Sequence, residues 1–170
     1  GGMDWYVSGA RTWSVAATNT AEDAMTTYPV GLGTGNSVYL LDSRDRDKAA
    51  LVEWQPADDS RRVLFADDNA DVSDVLLDAR GSQPLAVAVN RDRKHWQALD
   101  AATAAEFDYL SGRCHGDISL ASRSDDDQHW IIGYQADSAP VRFYHYDRRK
   151  GAAYYLFNNS ERLASMPLLA

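Results

Sequence analysis

Short apolar runs separated by polar turn segments make up most of the chain and predict β-strands. The runs are rich in Val, Ile, Leu, Tyr and Trp, and clusters of Asp, Ser, Gly and Arg lie between them. Such runs are typical of strands, and the connectors favour the tight turns of antiparallel hairpins. The predicted strands are 37–42, 49–54, 62–66, 75–78, 84–90, 117–122, 129–135, 141–147 and 152–157. The pattern therefore predicts an all-β protein.

One segment, 101–111, has a helical pattern instead. It consists mostly of strong helix formers, and Asp100 before it is a good N-terminal cap. Gly112 is placed where a left-handed residue often ends a helix. Phe107 and Leu110 are predicted to face a sheet. The sequence thus predicts one short helix within a β-rich chain.

The apolar runs repeat along the chain at a nearly constant interval. One strand of each repeat has an equivalent point, and these points are Val38, Leu85 and Trp130. Successive points are 47 and 45 residues apart. The next strand of each repeat ends at Trp54, Leu99 or Tyr146, and these residues are 45 and 47 positions apart. This period is typical of a four-stranded propeller blade and not of a helical solenoid. The predicted fold is a partial β-propeller of about three to three and a half four-stranded antiparallel blades.

The predicted blades form one incomplete ring over residues 3–170. The blades are 25–66, 72–111 and 116–157, a leading hairpin covers 4–18, and residues 1–2 are interpreted as a tag remnant. In the middle blade the predicted helix takes the place of the outermost strand. Closed propellers have about four to eight blades. An incomplete ring exposes apolar faces and unpaired edges, so we expect the isolated chain to self-associate.

Charge and cysteine content argue against several classes of partner and site. The chain carries 17 Lys and Arg against 25 Asp and Glu, a formal net charge of −8, which argues against a nucleic-acid or anionic-membrane partner. No apolar stretch approaches the about 20 residues of a membrane helix, and no signal peptide is recognisable. The single cysteine, Cys114, excludes an intrachain disulfide and a zinc site with several thiolates. A cytoplasmic and a periplasmic location both stay open.

The sequence contains no recognisable catalytic or metal-binding motif, so we predict no catalytic residue, no metal and no cofactor. The G-x-S-x-G nucleophile elbow of α/β-hydrolases is absent. Cys114 and His115 are adjacent, so their side chains are expected to point in different directions. The acidic segment 67–74 lacks the central glycine and closing glutamate of a calcium loop. No paired-ligand spacing relates the four histidines, His95, His115, His129 and His145.

The candidate binding residues lie in the charged segment 42–48, which alternates in sign between two strong strands. A guanidinium there could bind a carboxylate through two hydrogen bonds, on a peptide or on a partner domain. The alternative is a set of ion pairs within the loop that fixes the hairpin. Arg44, Asp45, Arg46 and, in a second loop, Arg123 are therefore predicted as substrate or interdomain contacts.

Several strings in combination resemble the propeller of bacterial prolyl oligopeptidase-family serine peptidases, over almost the whole chain. The strings are 40–51, 86–90 with 96–100, 116–119 with 122–124, and 140–147. Propeller hairpins look alike, so each string is weak alone. Asp45 departs from the pattern, because the D-S-R-G-R-D run of the family would place a glycine there.

The resemblance implies a parent protein that hydrolyses oligopeptides with a Ser-His-Asp triad. The triad would belong to a C-terminal α/β-hydrolase domain beyond this chain, and the end of the chain, 162–170 with Pro167, resembles the exit from the last blade. The chain itself would then be a non-catalytic part of a cap that restricts substrate access and contacts the hydrolase domain.

Two other interpretations stay open. The chain could be a self-standing propeller-like scaffold that binds a ligand or another protein. It could also be an enzyme in its own right, with Cys114 or a histidine as the reactive group. A reading frame that continues into a G-x-S-x-G segment favours the peptidase, whereas a stop codon after Ala170 favours the scaffold.

Overall fold

The computed structural model describes residues 2–8 and 12–164 and confirms the all-β prediction. Thirteen strands in this part of the chain form four sheets of two to four strands, an arrangement consistent with a partial propeller-like fold. The chain divides into two compact units, Gly1–Arg91 and Asp92–Ala170. The predicted exit segment with Pro167 lies in part outside the described residues.

The first unit begins with a hairpin and continues with a four-stranded sheet. Strands β1 (Met3–Ser8) and β2 (Trp13–Asn19) pair antiparallel, close to the predicted hairpin 4–18. The four-stranded sheet runs in chain order as an antiparallel meander. Its strands are β3 (Tyr28–Leu32), β4 (Val38–Asp42), β5 (Ala50–Gln55) and β6 (Ser60–Phe65). Helix α1 (Asp23–Thr26) precedes the meander, and a 3-10 turn occupies Thr34–Asn36.

A three-stranded sheet follows in the order β7–β8–β9. Its strands are β7 (Val72–Leu77), β8 (Pro84–Asn90) and β9 (Lys94–Ala98), of which β9 lies in the second unit. Helix α2 (Ala101–Ser111) comes directly after β9, where a fourth strand of this sheet would stand. This agrees with the predicted departure from the repeat at this point.

The second unit contains the other four-stranded meander, which runs β10–β11–β12–β13. Its strands are β10 (Asp117–Arg123), β11 (His129–Ala136), β12 (Ala139–Asp147) and β13 (Ala152–Asn158). A short helix, α3 (Glu161–Ala164), ends the described chain. The structure therefore contains α1 and α3, each of four residues, in addition to the one predicted helix.

The strand register supports the predicted repeat. In the first meander Val38 pairs with Trp54, and in the second Trp130 pairs with Tyr146. These are the equivalent positions that the 45- and 47-residue spacings identified. Trp54, Trp130 and Tyr146 are all nearly fully buried. The two four-stranded meanders thus repeat the same register and the same buried aromatic position.

Helix α2 begins as predicted but ends differently. The Asp100 side chain accepts hydrogen bonds from the backbone N–H groups of Ala102 and Thr103, both at 2.9 Å, which caps the helix. The prediction of a left-handed stop at Gly112 is wrong, because its φ of −76° and ψ of −10° are right-handed. The helix ends because the chain continues as a tighter right-handed turn, in which Arg113 N–H donates to Leu110 C=O at 3.0 Å.

Helix α2 packs on one face of the second meander. The Tyr134 hydroxyl donates to Leu110 C=O at 2.8 Å, the Tyr109 ring stacks on Tyr146, and Ala153 N–H donates to the Tyr109 hydroxyl at 3.0 Å. The opposite side of the sheet, here called the open face, carries partly or largely exposed side chains on alternate positions of three strands. The open face consists of His129, Ile131, Phe143, His145, Tyr154 and Phe157.

Candidate functional site

The charged turn between β4 and β5 is organised by Arg44. Its guanidinium donates from Nε to Asp42 Oδ1 at 2.9 Å and from Nη2 to Asp42 Oδ2 at 2.7 Å. The Arg44 backbone N–H also donates to Asp42 Oδ1, at 3.0 Å. The two side chains are only 8% and 3% exposed. The guanidinium with the greatest burial in this loop therefore binds a carboxylate of its own chain.

Two tryptophans surround this ion pair. The Arg44 guanidinium carbon lies 5.5 Å from the ring centroid of Trp5 and 6.0 Å from that of Trp54. The two indole rings are 5.7 Å apart, and the Trp54 indole N–H donates to Asp59 Oδ1 at 2.8 Å. A cation over aromatic faces is attracted by the ring quadrupoles, most strongly when water is excluded. Arg44 is thus held by its charge partner and by the aromatic core together.

The environment sets the ionisation of the pair. Burial raises the pKa of Asp42, but the hydrogen bonds and positive charge of Arg44 outweigh burial and leave that pKa below its ordinary value of 3.8. The hydrogen bond to Asp42 raises the pKa of Arg44. Both groups are therefore charged at neutral pH, as a bidentate ion pair requires.

Asp45 and Arg46 lie at the exposed tip of the same turn. Asp45 has a φ of 59°, in the left-handed region where glycine is favoured, which explains why the family pattern would place a glycine there. Its carboxylate lies 3.6 Å from Arg61 Nη1. The Arg46 side chain is exposed and makes no hydrogen bond or ion pair with any described residue. Arg46 is the guanidinium of this turn that points to solvent.

Arg123 is the last residue of β10, in the second unit. Its Nη1 lies 3.4 Å from Asp127 Oδ1. Asp127 also accepts a hydrogen bond from the Trp130 indole at 2.7 Å and one from Arg148 Nη1 at 2.6 Å. Arg123 therefore takes part in a shared carboxylate site of its own hairpin. The predicted binding role of Arg123 stays a prediction.

Arg148 joins helix α2 to the second meander. Its Nε and Nη2 donate to the two carboxylate oxygens of Glu106 at 2.7 and 2.8 Å, while Nη1 donates to Asp127. The guanidinium carbon lies 4.4 Å from the centroid of the Trp130 ring. No local pattern predicts this cluster, because Arg148 is 42 residues from Glu106 and 21 residues from Asp127 along the chain.

Cys114 lines a cavity of about 320 Å³ with Trp96, Phe107 and His115. Its sulfur accepts a hydrogen bond from Arg142 Nη1 at 3.6 Å and contacts the carbonyl of His115 at 3.7 Å. Among the described residues, no hydrogen bond joins the thiol to the imidazole of His115. The adjacent pair thus lacks the contact that a thiolate-imidazole couple uses.

The acidic segment 67–74 uses its carboxylates within the first unit. Asp67 accepts from the backbone of Asn69 at 2.9 Å and from Arg91 Nη2 at 2.6 Å. Asp71 accepts from the backbone N–H of Ala49 at 2.7 Å. Within residues 2–8 and 12–164, no group of three or more His, Cys, Asp or Glu side chains could hold a metal ion.

The histidines give one contact that sequence spacing did not reveal. His129 Nδ1 lies 3.0 Å from His145 Nε2, and the two ring centroids are 5.1 Å apart. The residues are 16 positions apart and lie on neighbouring strands, β11 and β12. Only the strand register, which pairs Ile131 with His145, could have predicted this proximity.

The chain is similar to a peptidase over nearly its full length. It is 36% identical over 171 aligned positions to dipeptidyl aminopeptidase BIII of Pseudoxanthomonas mexicana, and the match covers 99% of this chain. The chain spans only a quarter of the length of that curated relative. No protein-family model matches it. The similarity supports the predicted relation to peptidases.

Among the described residues, none of the helices has the length and apolar character needed to cross a membrane.

Proposed function

We propose that this chain is a non-catalytic segment of the β-propeller of a prolyl oligopeptidase-family serine peptidase. The observation that carries the proposal is the 36% identity to a dipeptidyl aminopeptidase along 99% of the chain. Identity at this level over a whole segment indicates the same local fold in both proteins. In this proposal the chain corresponds to a segment that makes up a quarter of the length of that relative.

The architecture supports a propeller. Two four-stranded antiparallel meanders, each in chain order, are separated by a three-stranded sheet that ends in a helix. Blades of a propeller are meanders of this kind. The two four-stranded sheets share one register, because Val38 pairs with Trp54 in the first and Trp130 pairs with Tyr146 in the second.

In this proposal the propeller limits which peptides reach a separate hydrolase domain, and the turn between β4 and β5 contributes a contact. Arg44 acts as a positioning residue, because Asp42 and two tryptophans already surround its guanidinium. Arg46 supplies the exposed guanidinium for a carboxylate of the peptide or of the hydrolase domain. Asp45, beside Arg61, and Arg123, beside Asp127, also remain proposed contacts with the substrate or the hydrolase domain.

The first test is to sequence the gene on both sides of this segment and to assay its full product. We expect a reading frame that continues into a G-x-S-x-G segment and a product that cleaves peptide nitroanilides. A product limited to this segment, with no turnover, would replace the proposal with the self-standing scaffold. Turnover by the 170-residue chain that is lost on mutation of Cys114 would instead make the chain an enzyme.

The second test is the variant Arg46→Ala in the full-length peptidase. We expect KM to rise about tenfold with kcat retained, because one charge-assisted bidentate contact is lost. Arg62→Ala is the matched control, since Arg62 is 73% exposed on the same sheet and already paired with Glu53. Equal kinetics for the two variants would remove Arg46 from the proposed contact surface while leaving the peptidase assignment intact.

A further inference from the structure

Two imidazoles meet on the open face of the second meander. His129, near the start of β11, and His145, near the end of β12, bring Nδ1 and Nε2 within 3.0 Å. The strand ladder fixes this approach, because His129 pairs with Asp147 and Ile131 pairs with His145. The two histidines are therefore diagonal neighbours on one face of an antiparallel sheet, close enough for their side chains to touch.

The surroundings hold the pair but leave it accessible. The Tyr154 ring on β13 stacks on the far side of His145, with centroids 6.3 Å apart and planes 26° apart. His129 is exposed and His145 is half-buried. Stacking limits the ring motion of His145, whereas His129 can rotate toward solvent.

We propose that His129 and His145 form a two-imidazole chelate for a divalent cation of the late first transition row. Two nitrogens bound to one metal at about 2.0–2.1 Å, at an angle of about 90–110°, stand about 2.9–3.4 Å apart. The observed 3.0 Å falls in this range. Imidazole suits Cu²⁺, Ni²⁺ and Zn²⁺, with Cu²⁺ bound most tightly.

Binding requires a change of tautomer and a rotation of the exposed His129 ring that directs both nitrogens at the metal. In the neutral pair one ring donates the shared proton and the other accepts it, so a metal needs that proton to leave the contact. The donating ring can carry the proton on its other nitrogen instead, which exposes two lone pairs with no net change in charge. The metal then binds Nδ1 of His129 and Nε2 of His145 from one side of the line that joins them, about 2.0–2.1 Å from each nitrogen.

The negative charge of the chain favours a cation, and the ligand count limits its affinity. The chain has a net charge of −8, and Asp147, opposite His129 in the register, is paired with Lys150 at 3.3 Å. The described residues supply no group of three or more His, Cys, Asp or Glu ligands, so water would fill the remaining positions. The structure thus predicts binding of moderate strength that depends on both imidazoles.

The test uses the 170-residue chain without a histidine tag, titrated separately with Cu²⁺, Ni²⁺ and Zn²⁺ by calorimetry. We expect one ion per chain and the order Cu²⁺ above Ni²⁺ and Zn²⁺. His129→Asn and His145→Asn should each weaken Cu²⁺ binding at least about tenfold, since one ligand gives no chelation. His115→Asn, which removes an exposed histidine of the same unit, is the matched control and should bind as the wild type does.

Electron paramagnetic resonance of the Cu²⁺ complex gives a second readout. We expect two nitrogen donors in the wild type and one in each single variant. The proposal would be overturned by affinities that His129→Asn and His145→Asn leave unchanged, or by an oligomer that light scattering detects only after Cu²⁺ is added. The outcome is independent of the peptidase assignment, because neither histidine enters that proposal.

Discussion

Arg44 binds Asp42, two residues earlier in the chain, through two parallel hydrogen bonds, and both side chains are more than nine-tenths buried. Removing one partner of a buried pair leaves the other charge without compensation. We expect Arg44→Ala to lower the free energy of unfolding by about 3 kcal/mol. Arg46→Ala, in the same turn but exposed, should change it by less than about 0.5 kcal/mol. Urea unfolding measures both, and equal effects would show that the Arg44 pair does not stabilise the fold.

The same pair predicts a dependence of stability on acid. Because the pKa of Asp42 lies below its ordinary 3.8 in the folded state, the carboxylate stabilises the fold fully at pH values above 3.8. That contribution is lost as the pH falls through the lower folded-state pKa. The difference in unfolding free energy between wild type and Asp42→Asn should therefore shrink below pH 3.8. A difference that stays constant through this range would contradict the ion-pair origin.

The conformation of Asp45 predicts which residues its position accepts. With a φ of 59°, a β-branched side chain is strained there, whereas glycine is not. We expect Asp45→Val to lower the free energy of unfolding by about 1–2 kcal/mol and Asp45→Gly to change it by less than about 0.5 kcal/mol. Asp47→Val is the control, since Asp47 is exposed and has no positive φ. Thermal unfolding of the three variants measures these changes. If Asp47→Val lowers the free energy of unfolding as much as Asp45→Val does, the left-handed conformation of Asp45 is not the cause.

Arg148 should contribute strongly to holding helix α2 on its sheet, in addition to the contacts of Tyr109 and Leu110. Arg148→Ala removes the bidentate contact with Glu106 and leaves that partly buried carboxylate without its ion-pair partner, whereas Asp127 loses Arg148 but keeps its contacts with Trp130 and Arg123. We expect Arg148→Ala to lower the free energy of unfolding by about 2–4 kcal/mol. Arg149→Ala should lower it by less than about 0.5 kcal/mol, because the Arg149 side chain is 67% exposed. Hydrogen exchange within 101–111 should speed up in the Arg148 variant alone. Unchanged protection of these amides would assign the loss to another part of the unit.

The open face predicts self-association of the isolated chain. Tyr154 and Phe157 are 49% and 52% exposed, and β13 is the last strand of its sheet. In sedimentation velocity we expect an oligomer that grows with concentration and that Phe157→Lys weakens. Met25→Lys, at an 84% exposed site on the other unit, should have no such effect. A wild type that stays monomeric at every concentration would contradict the expectation.

Local sequence patterns were sufficient for most of the strands, for the capped start of helix α2 and for the repeat. They succeeded because each depends on neighbours in the chain, such as Asp100 bonding to the next turn. Strand β3 (Tyr28–Leu32) was absent from the predicted strands, since Pro29 and Gly31 weaken its strand pattern. Its ladder to β4 compensates, with a bulge between these two residues.

The candidate site could be predicted only in part. The alternating charges correctly located a turn, but not which guanidinium would be buried, because that depends on Trp5, far away in the sequence. The same limit applies to Arg148 with Glu106 and to His129 with His145. Each of these contacts joins residues that are distant in sequence, and they become neighbours only when the strands have paired and helix α2 has packed on the sheet.

The enclosure of Arg44 bears on how mutational scans of this segment are interpreted. A scan scored by peptide turnover alone would rank Arg44 among the residues needed for activity, because replacements that break its ion pair with Asp42 deplete the folded population. Normalising turnover to the amount of folded protein would move Arg44 out of that group and leave Arg46 to be judged on its own chemistry.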